Sequence, residues 1–308
     1  MTKIRVGTRN SRLARAQTEL MGLLLRTHHL DLELEYVEVL TQGDQTTTPL
    51  YESKTPGVFV SALREELLDH RVDVIVHSMK DLPAAHHPHI LIACVPARED
   101  PGDVVVSRDN ISLANLPSGS LVGTSSPRRA ASVRRWRADL RVESIRGNVD
   151  TRIDKVARGD YDATVMALAG LKRTGLTGAI TEHLSVRDFL PAPRQGALAL
   201  ECRVGDRESA ELVAVLEHAH TRLTTEAERG VLLGLAAGCS TAVGALATWE
   251  AGVLELSAEL AVVETGEAFR IVRDVSCAET DRGAALELGL AVAEEFRESD
   301  IFEKVSWS

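Results

Sequence analysis

The stretch KIRVGTRNSRLARAQTELMGLLLRTHHLDLELEYVEVL, Lys3 to Leu40, decides how the chain begins to fold. KIRVGT has the composition of a buried strand. From Ser11 to His28, Leu13, Ala16, Leu20, Leu23 and Leu24 recur near helical spacing. LELEYVEVL then returns to a strand pattern. Further on, Val58 to Asp69 reads as a helix and VDVIVHS, Val72 to Ser78, as another strand. Strand and helix in alternation imply a largely parallel sheet covered by helices.

The alternation pauses at EDPGD, Glu99 to Asp103, a polar turn cluster that suits a crossing between domains. It resumes in kind. SLVGTSS (120–126) reads as strand, Arg128 to Arg137 as helix, RVESIRG (141–147) as strand, Asp150 to Ala157 as helix and DATVMAL (162–168) as strand. LPAPRQG (190–196) marks a second crossing, into the strand ALALEC. Two helical patterns follow, Arg207 to His218 and Thr221 to Leu235. Three strand-like runs, Ala242 to Thr248, Val253 to Val263 and Phe269 to Ser276, precede a last helix from Thr280 to Arg297. The expected fold is two α/β domains of similar build and a small C-terminal α+β domain. The expected division is 1–98 with a return segment 196–216, then 99–195, then 217–308.

The chain has 308 residues, is 44% hydrophobic and carries a net charge of −10. That charge argues against wholesale binding of nucleic acid or of an anionic membrane, yet permits one local basic pocket. No signal peptide and no apolar run of about 18 residues are visible. Cys94, Cys202, Cys239 and Cys277 are far apart and form no C-x-x-C, so a reducing cytoplasm is the simplest compartment. Neither a Walker A sequence nor a G-x-G-x-x-G after a strand appears, which leaves nucleotide binding without support.

One basic segment stands out. TSSPRRAASVRRWRADLRVESIRGNVDTR, Thr124 to Arg152, holds eight arginines against three acids, +5 in a chain of −10, so the rest carries −15. Ser125 or Ser126 suits a helix N-cap and Pro127 the first turn. Arg128 and Arg129 would then oppose the helix dipole, by about 0.3–1 kcal/mol each, unless an anion accompanies them. Free N–H groups, serine hydroxyls and guanidinium forks together make a carboxylate or phosphate site. For Arg134, Arg135, Arg137 and Arg141 the plainer reading is a solvated charged helix. Arg146 is expected at a strand end and Arg152 in the next helix. The end of VIVHSMKDLP has the same geometry, carrying His77, Ser78, Lys80 and Asp81 where open α/β sheets bind ligands. The two strand ends, one per domain, could face each other across a cleft.

Two further windows stay open. Cys239, in LLGLAAGCSTAVGAL, reads as an inert core thiol, although its Gly, Ser and Thr flanks are loop chemistry that would expose the sulfur. HHPH, His86 to His89, offers metal-ligand chemistry without partner ligands and reads as a polar loop; no metal site is expected.

Taken together, RVGTRNSRLA, TQGD, VHSMKDLP, VGTSSPRRA, RGNVDTR, QGALALEC and AAGCSTAVGA, in this order, resemble the porphobilinogen deaminase family over nearly the whole chain. The resemblance implies two domains like type II periplasmic binding proteins, with the active site between them, and a third domain bearing the cofactor. It implies a covalent dipyrromethane cofactor and a monomeric enzyme that joins four porphobilinogen molecules head to tail, releasing ammonia each time. Each porphobilinogen ring carries an acetate and a propionate, which would explain the arginines.

By motif, Cys239 matches the attachment cysteine and Asp81 the catalytic aspartate, which would stabilise cationic pyrrole species as ammonia leaves. Lys80, Ser126, Arg128, Arg129 and Arg152 match contacts to the cofactor carboxylates. Arg9, Ser11 and Arg146 match contacts to the incoming substrate. Thr124 and Ser125 would add donors, and Gln195 lies in the hinge motif. Departures are Pro56, where the family often has lysine, Arg12, where Pro or Leu is frequent, and STAVG after the cysteine, which lacks the common proline. A solute receptor of the same architecture is the rival expectation. It predicts no covalent cofactor and usually an export signal.

Overall fold

The computed structural model describes residues 3–39, 58–238 and 241–307. Cys239, the TQGD motif and Pro56 lie outside the described residues. The chain falls into two compact units, Met1–Arg98 with Ala197–Arg222, and Glu99–Gly196 with Leu223–Ser308. Two of the three passages between them fall at the Pro/Gly-marked segments, EDPGD and LPAPRQG, and the third lies between Arg222 and Leu223. No helix among the described residues is long and apolar enough to cross a membrane.

In chain order the first unit opens with β1 (Lys3–Arg9), α1 (Arg12–His28), β2 (Glu33–Val39), α2 (Val58–Leu68), β3 (Val74–Ser78) and β4 (Ile90–Cys94). The second unit then begins with β5 (Asp103–Ser107), β6 (Leu121–Gly123), α3 (Pro127–Trp136), β7 (Arg141–Glu143), α4 (Val149–Ala157), β8 (Ala163–Ala167), α5 (Leu168–Thr174) and β9 (Glu182–His183). The chain returns to the first unit with β10 (Leu198–Arg203) and α6 (Arg207–Ala214). It ends with α7 (Ala219–Leu235), β11 (Val243–Glu250), β12 (Val253–Ala261), β13 (Ala268–Ser276), α8 (Arg282–Arg297) and α9 (Asp300–Lys304).

Both large sheets have one topology. The first runs β2-β1-β3-β10-β4 and the second β7-β6-β8-β5-β9. In each, three strands are parallel, and the fourth, β10 or β5, is antiparallel to both neighbours. That antiparallel strand is the first one built after a passage between units. The two sheets are thus two α/β units of similar build, as the alternation of strand and helix implied. β3 and β5 each carry three consecutive apolar residues and are buried at all positions but the last, as strands covered on both faces must be.

The C-terminal segment forms an antiparallel sheet, β11-β12-β13, packed on α7 and α8 through Leu223, Val231, Leu254, Leu256, Val292 and Phe296. The β11–β12 turn holds Ala251 at φ 51 and Gly252 at φ 84, the left-handed pair that a two-residue hairpin requires. This part groups with residues 99–196 in one unit.

Two elements end earlier than their sequence suggests. RVESIRG is strand only to Glu143, because β6 stops at Gly123 and turns toward α3, leaving no backbone to pair with Ser144–Gly147. The helix expected from Arg207 to His218 stops at Ala214. Beyond it, Glu217 Oε2 accepts the Val95 N–H at 2.7 Å and the His218 N–H reaches Val95 O, so tertiary contacts replace the helical ones.

Candidate functional site

In the first unit, β3 runs into a single 3₁₀ turn, Met79–Asp81. Met79 and Leu82 are buried beside Val60, Val95, Ala197 and Ala199, which fixes the turn from below. The Met79 N–H donates to Ala197 O, and Gln17 Nε2 donates to Ser78 Oγ at 2.8 Å. With its neighbours anchored inward, Asp81 is exposed and makes no hydrogen bond or ion pair among the described residues. Turn capping and pairing with Lys80 therefore do not account for it. Lys80 is half-buried one residue earlier. Arg9 ends β1, and Ser11 caps α1 by accepting the Ala14 N–H at 3.2 Å.

Behind this turn lies a charged group that the sequence did not signal. Glu201 on β10 is 1% exposed. It receives Arg64 Nε at 2.9 Å and Nη2 at 2.6 Å, and it lies 3.4 Å from His77 Nε2. Burial pushes its carboxyl up, but His77 and Arg64 outweigh that and hold it at about 2.

In the second unit, α3 starts as expected. Ser126 is the N-cap, its Oγ accepting the Arg129 N–H at 3.4 Å, and Pro127 follows. Arg128 and Arg129 do sit at the helix start with an anion, but that anion belongs to the chain. Arg128 Nη2 donates to Asp103 Oδ2 and Arg129 Nη2 to Asp103 Oδ1, both at 2.7 Å. Arg128 Nη1 also reaches Leu190 O at 2.7 Å. Gln195 joins the same group. Its Nε2 donates to Asp103 Oδ1 at 2.8 Å and to Pro101 O at 2.7 Å, and its Oε1 accepts from Arg129. Burial disfavours the Asp103 charge, yet Arg128 and Arg129 hold its carboxyl far below the usual carboxylate range. Read from sequence, Asp103 was only a turn residue of EDPGD.

The thermodynamic surplus lies on the cationic side. Arg152 donates Nε to Gly147 O at 2.8 Å. Its guanidinium is lowered to about 10, by burial first and then by the cations of Arg129 and Arg146. The Arg146 side chain makes no hydrogen bond or ion pair among the described residues, and the buried Nε of Arg129 has no partner there. The cations of Arg129 and Arg146 thus bear on Arg152, and Arg146 keeps its donors unused among the described residues, a set suited to a multiply charged carboxylate ligand. The donor set fits the acetate and propionate groups of a dipyrromethane.

Thr124 Oγ1 accepts the Ser126 N–H at 3.2 Å, and Ser125 Oγ donates to Ile145 O at 2.5 Å. The solvated reading of the helix arginines needs correction, since Arg134 and Arg137 are half-buried and bonded to the chain. Arg134 reaches Val263 O at 2.8 Å. Arg137 ties down Leu113 O, Ala114 O and Leu116 O while forking onto Asp139. Arg135 pairs with Glu259 at 2.9 Å. Arg141 lies exposed, beside Glu143 at 2.8 Å. Among the described residues, no group of three or more His, Cys, Asp or Glu could hold a metal.

An α/β chain with unbalanced arginines in one unit and an unpartnered carboxylate at a strand end in the other belongs to the anion-handling class of such folds. Residues 4–211 match the family model "Porphobilinogen deaminase, dipyromethane cofactor binding domain", and residues 222–298 match "Porphobilinogen deaminase, C-terminal domain". A porphobilinogen deaminase of Mycolicibacterium paratuberculosis is 45% identical over 314 residues, 98% of this chain and 96% of that protein. Those of Mycobacterium ulcerans and Mycobacterium tuberculosis are 45% and 44% identical, each aligned over 96% of this chain. The chain belongs to the porphobilinogen deaminase family.

Proposed function

We propose that the chain is a hydroxymethylbilane synthase. It polymerises four porphobilinogen molecules into linear hydroxymethylbilane on a dipyrromethane held by Cys239. The observation that carries this reading is the cluster of Arg129, Arg146 and Arg152, cations gathered without enough acid in a chain of net −10. Each condensation breaks a C–N bond, forms a C–C bond and releases ammonia, which takes up the displaced pyrrole proton; after the fourth, water cleaves the bond to the cofactor and leaves its oxygen as the hydroxymethyl group. The bound dipyrromethane supplies the nucleophilic pyrrole carbon.

The chain's own residues bind and orient. Arg129 and Arg152, with Lys80 and Ser126, hold cofactor carboxylates; Arg128 supports them through Asp103. Arg146, with Arg9 and Ser11, holds the carboxylates of the incoming substrate. Thr124, Ser125 and Gln195 act through the backbone and the Asp103 group. Asp81 faces the positive charge that develops on the substrate's aminomethyl carbon as ammonia leaves. We place the enzyme in the cytoplasm as a monomer, because its cysteines suit a reducing compartment and the family resemblance implies one subunit.

Intact mass and turnover test the reading together. Protein from cells that make porphobilinogen should carry a mass excess of two linked pyrroles and release four ammonia per tetrapyrrole. Cys239→Ser should lack the excess, and Cys94→Ser should keep it. Unmodified wild-type protein without turnover would overturn the function; normal loading of Cys239→Ser would overturn the attachment site.

A further inference from the structure

The loop after β7 cannot pair as a strand, yet none of its four carbonyls is left to solvent alone. Each accepts a side-chain donor. Tyr161 Oη donates to Ser144 O at 2.7 Å. Ser125 Oγ donates to Ile145 O at 2.5 Å. Lys155 Nζ donates to Arg146 O at 3.1 Å, and Arg152 Nε to Gly147 O at 2.8 Å. No backbone N–H among the described residues bonds to any of the four. The donors come from three places, the start of α3, the body of α4 and the segment before β8.

Packing reinforces the arrangement. Ile145 is 0% exposed, and a Cβ on Gly123 would lie 2.8 Å from the Tyr161 ring and 2.9 Å from Ile145. The ring is therefore pressed against β6 on one side while its hydroxyl holds the loop on the other. Gly147 at φ 111 completes the turn; a Cβ there would strike Thr151 at 2.5 Å. Burial, with Glu143 and Asp160 nearby, raises the Tyr161 phenol, so its hydroxyl stays a donor at neutral pH.

From these contacts we infer that Tyr161 and Lys155 are positioning residues, which fix the Ser144–Gly147 backbone so that the Arg146 guanidinium is presented to a carboxylate of the incoming substrate. This rests on the proposed function, and specifically on Arg146 as a substrate contact. A free loop would sample many backbone states, and the ligand would have to order it on binding. Four side-chain bonds remove that cost beforehand. Because the arginine contact is made before and during reaction alike, loosening the loop weakens binding without slowing the chemistry.

Tyr161→Phe removes one hydroxyl and keeps the ring against Gly123. Lys155→Met removes one donor from the half-buried side of α4. Each should raise KM for porphobilinogen by about three- to tenfold, the span that one lost hydrogen bond gives. The kcat, the two-pyrrole mass excess and the melting temperature should stay near wild type. Lys155→Arg should restore KM. Combined with Arg146→Lys, Tyr161→Phe should add less than its single effect, because both act through one guanidinium. An unchanged KM in both variants of an enzyme that loads cofactor and turns over would overturn the positioning role alone. Full additivity with Arg146→Lys would do the same. Loss of fold in Tyr161→Phe leaves the decision to the Lys155 pair. Wild type with neither mass excess nor turnover would overturn the function, and this inference with it.

Discussion

Arg129 Nη2 lies 2.7 Å from Asp103 Oδ1, while Arg128 Nη2 takes the other oxygen of the same carboxylate. The two arginines are consecutive, yet their remaining capacity differs. Arg128 uses its second terminal nitrogen on Leu190 O, whereas Arg129 shares Nη2 with Gln195 Oε1 at 3.3 Å and makes no bond through Nη1 among the described residues. Asp103 is 1% exposed, so removing its charge strands two buried cations. Breaking a buried pair from one side costs about 3–5 kcal/mol. Asp103→Asn should lower the melting temperature by on the order of 10 °C, at roughly 2–4 °C per kcal/mol for a unit of this size. A melting temperature within about a degree of wild type, by scanning calorimetry, would show that the carboxylate does not hold the arginines.

Arginines of one segment should divide by what they touch. Arg137 binds three carbonyls and Asp139, and Arg146 binds no side chain or carbonyl among the described residues. Arg137→Ala should therefore lose stability, by about 1–3 kcal/mol, with little change in turnover per folded molecule. Arg146→Ala should keep its melting temperature and lose substrate affinity. Arg146→Lys should also be impaired, since an ammonium cannot reproduce the planar fork. Parallel calorimetry and steady-state kinetics on the three variants check the division. It fails if Arg137→Ala and Arg146→Ala lose activity equally while both stay folded.

What the sequence showed follows from what each signal depends on. VDVIVHS and DATVMAL were legible as strands because burial on both faces demands continuous apolar residues, and that demand is local. EDPGD and LPAPRQG were legible as passages between units because Pro and Gly restrict the backbone wherever they stand. The end of β7 was not legible, since Glu143 is the last residue that can pair with β6, which stops at Gly123, far back in the chain. Asp103 looked like a turn acid because its partners stand 25 and 26 residues away. Arg134 looked solvated because its acceptor is a carbonyl 129 residues on. Charge shows in a sequence, whereas the acceptor that uses it does not.

The pH dependence of stability should carry the mark of Glu201. Its carboxyl is lowered from 4.5 to about 2, so between those values the unfolded chain binds a proton that the folded chain refuses. The stabilisation is present above about pH 4.5 and is lost as pH falls toward 2. A shift of that size corresponds to about 3 kcal/mol, as an order of magnitude. Urea midpoints between pH 6 and pH 3 should fall for wild type. Glu201→Gln should start lower at pH 6, because Arg64 loses its partner, and then fall less steeply. Equal slopes for the two proteins would remove Glu201 from the acid response.

Asp81 should act in the chemistry and not in the fold. Met79 and Leu82 bury the turn on either side of it, and the Met79 N–H is held by Ala197 O, so nothing in the turn depends on the Asp81 carboxylate. It stands exposed at the end of β3 without a bond to any described residue. A carboxylate kept unpaired has no competing cation to leave when positive charge develops on a substrate. Losing such a group costs about a hundred- to a thousandfold in rate. Asp81→Asn keeps the shape and removes the charge. Its melting temperature should match wild type, its two-pyrrole mass excess should persist in protein loaded during expression, and kcat should drop by at least the lower factor. Single-turnover measurement of ammonia release on the loaded variant separates this from slow product release. Ammonia release at close to the wild-type rate, or failure of the variant to fold, would assign the catalytic charge elsewhere.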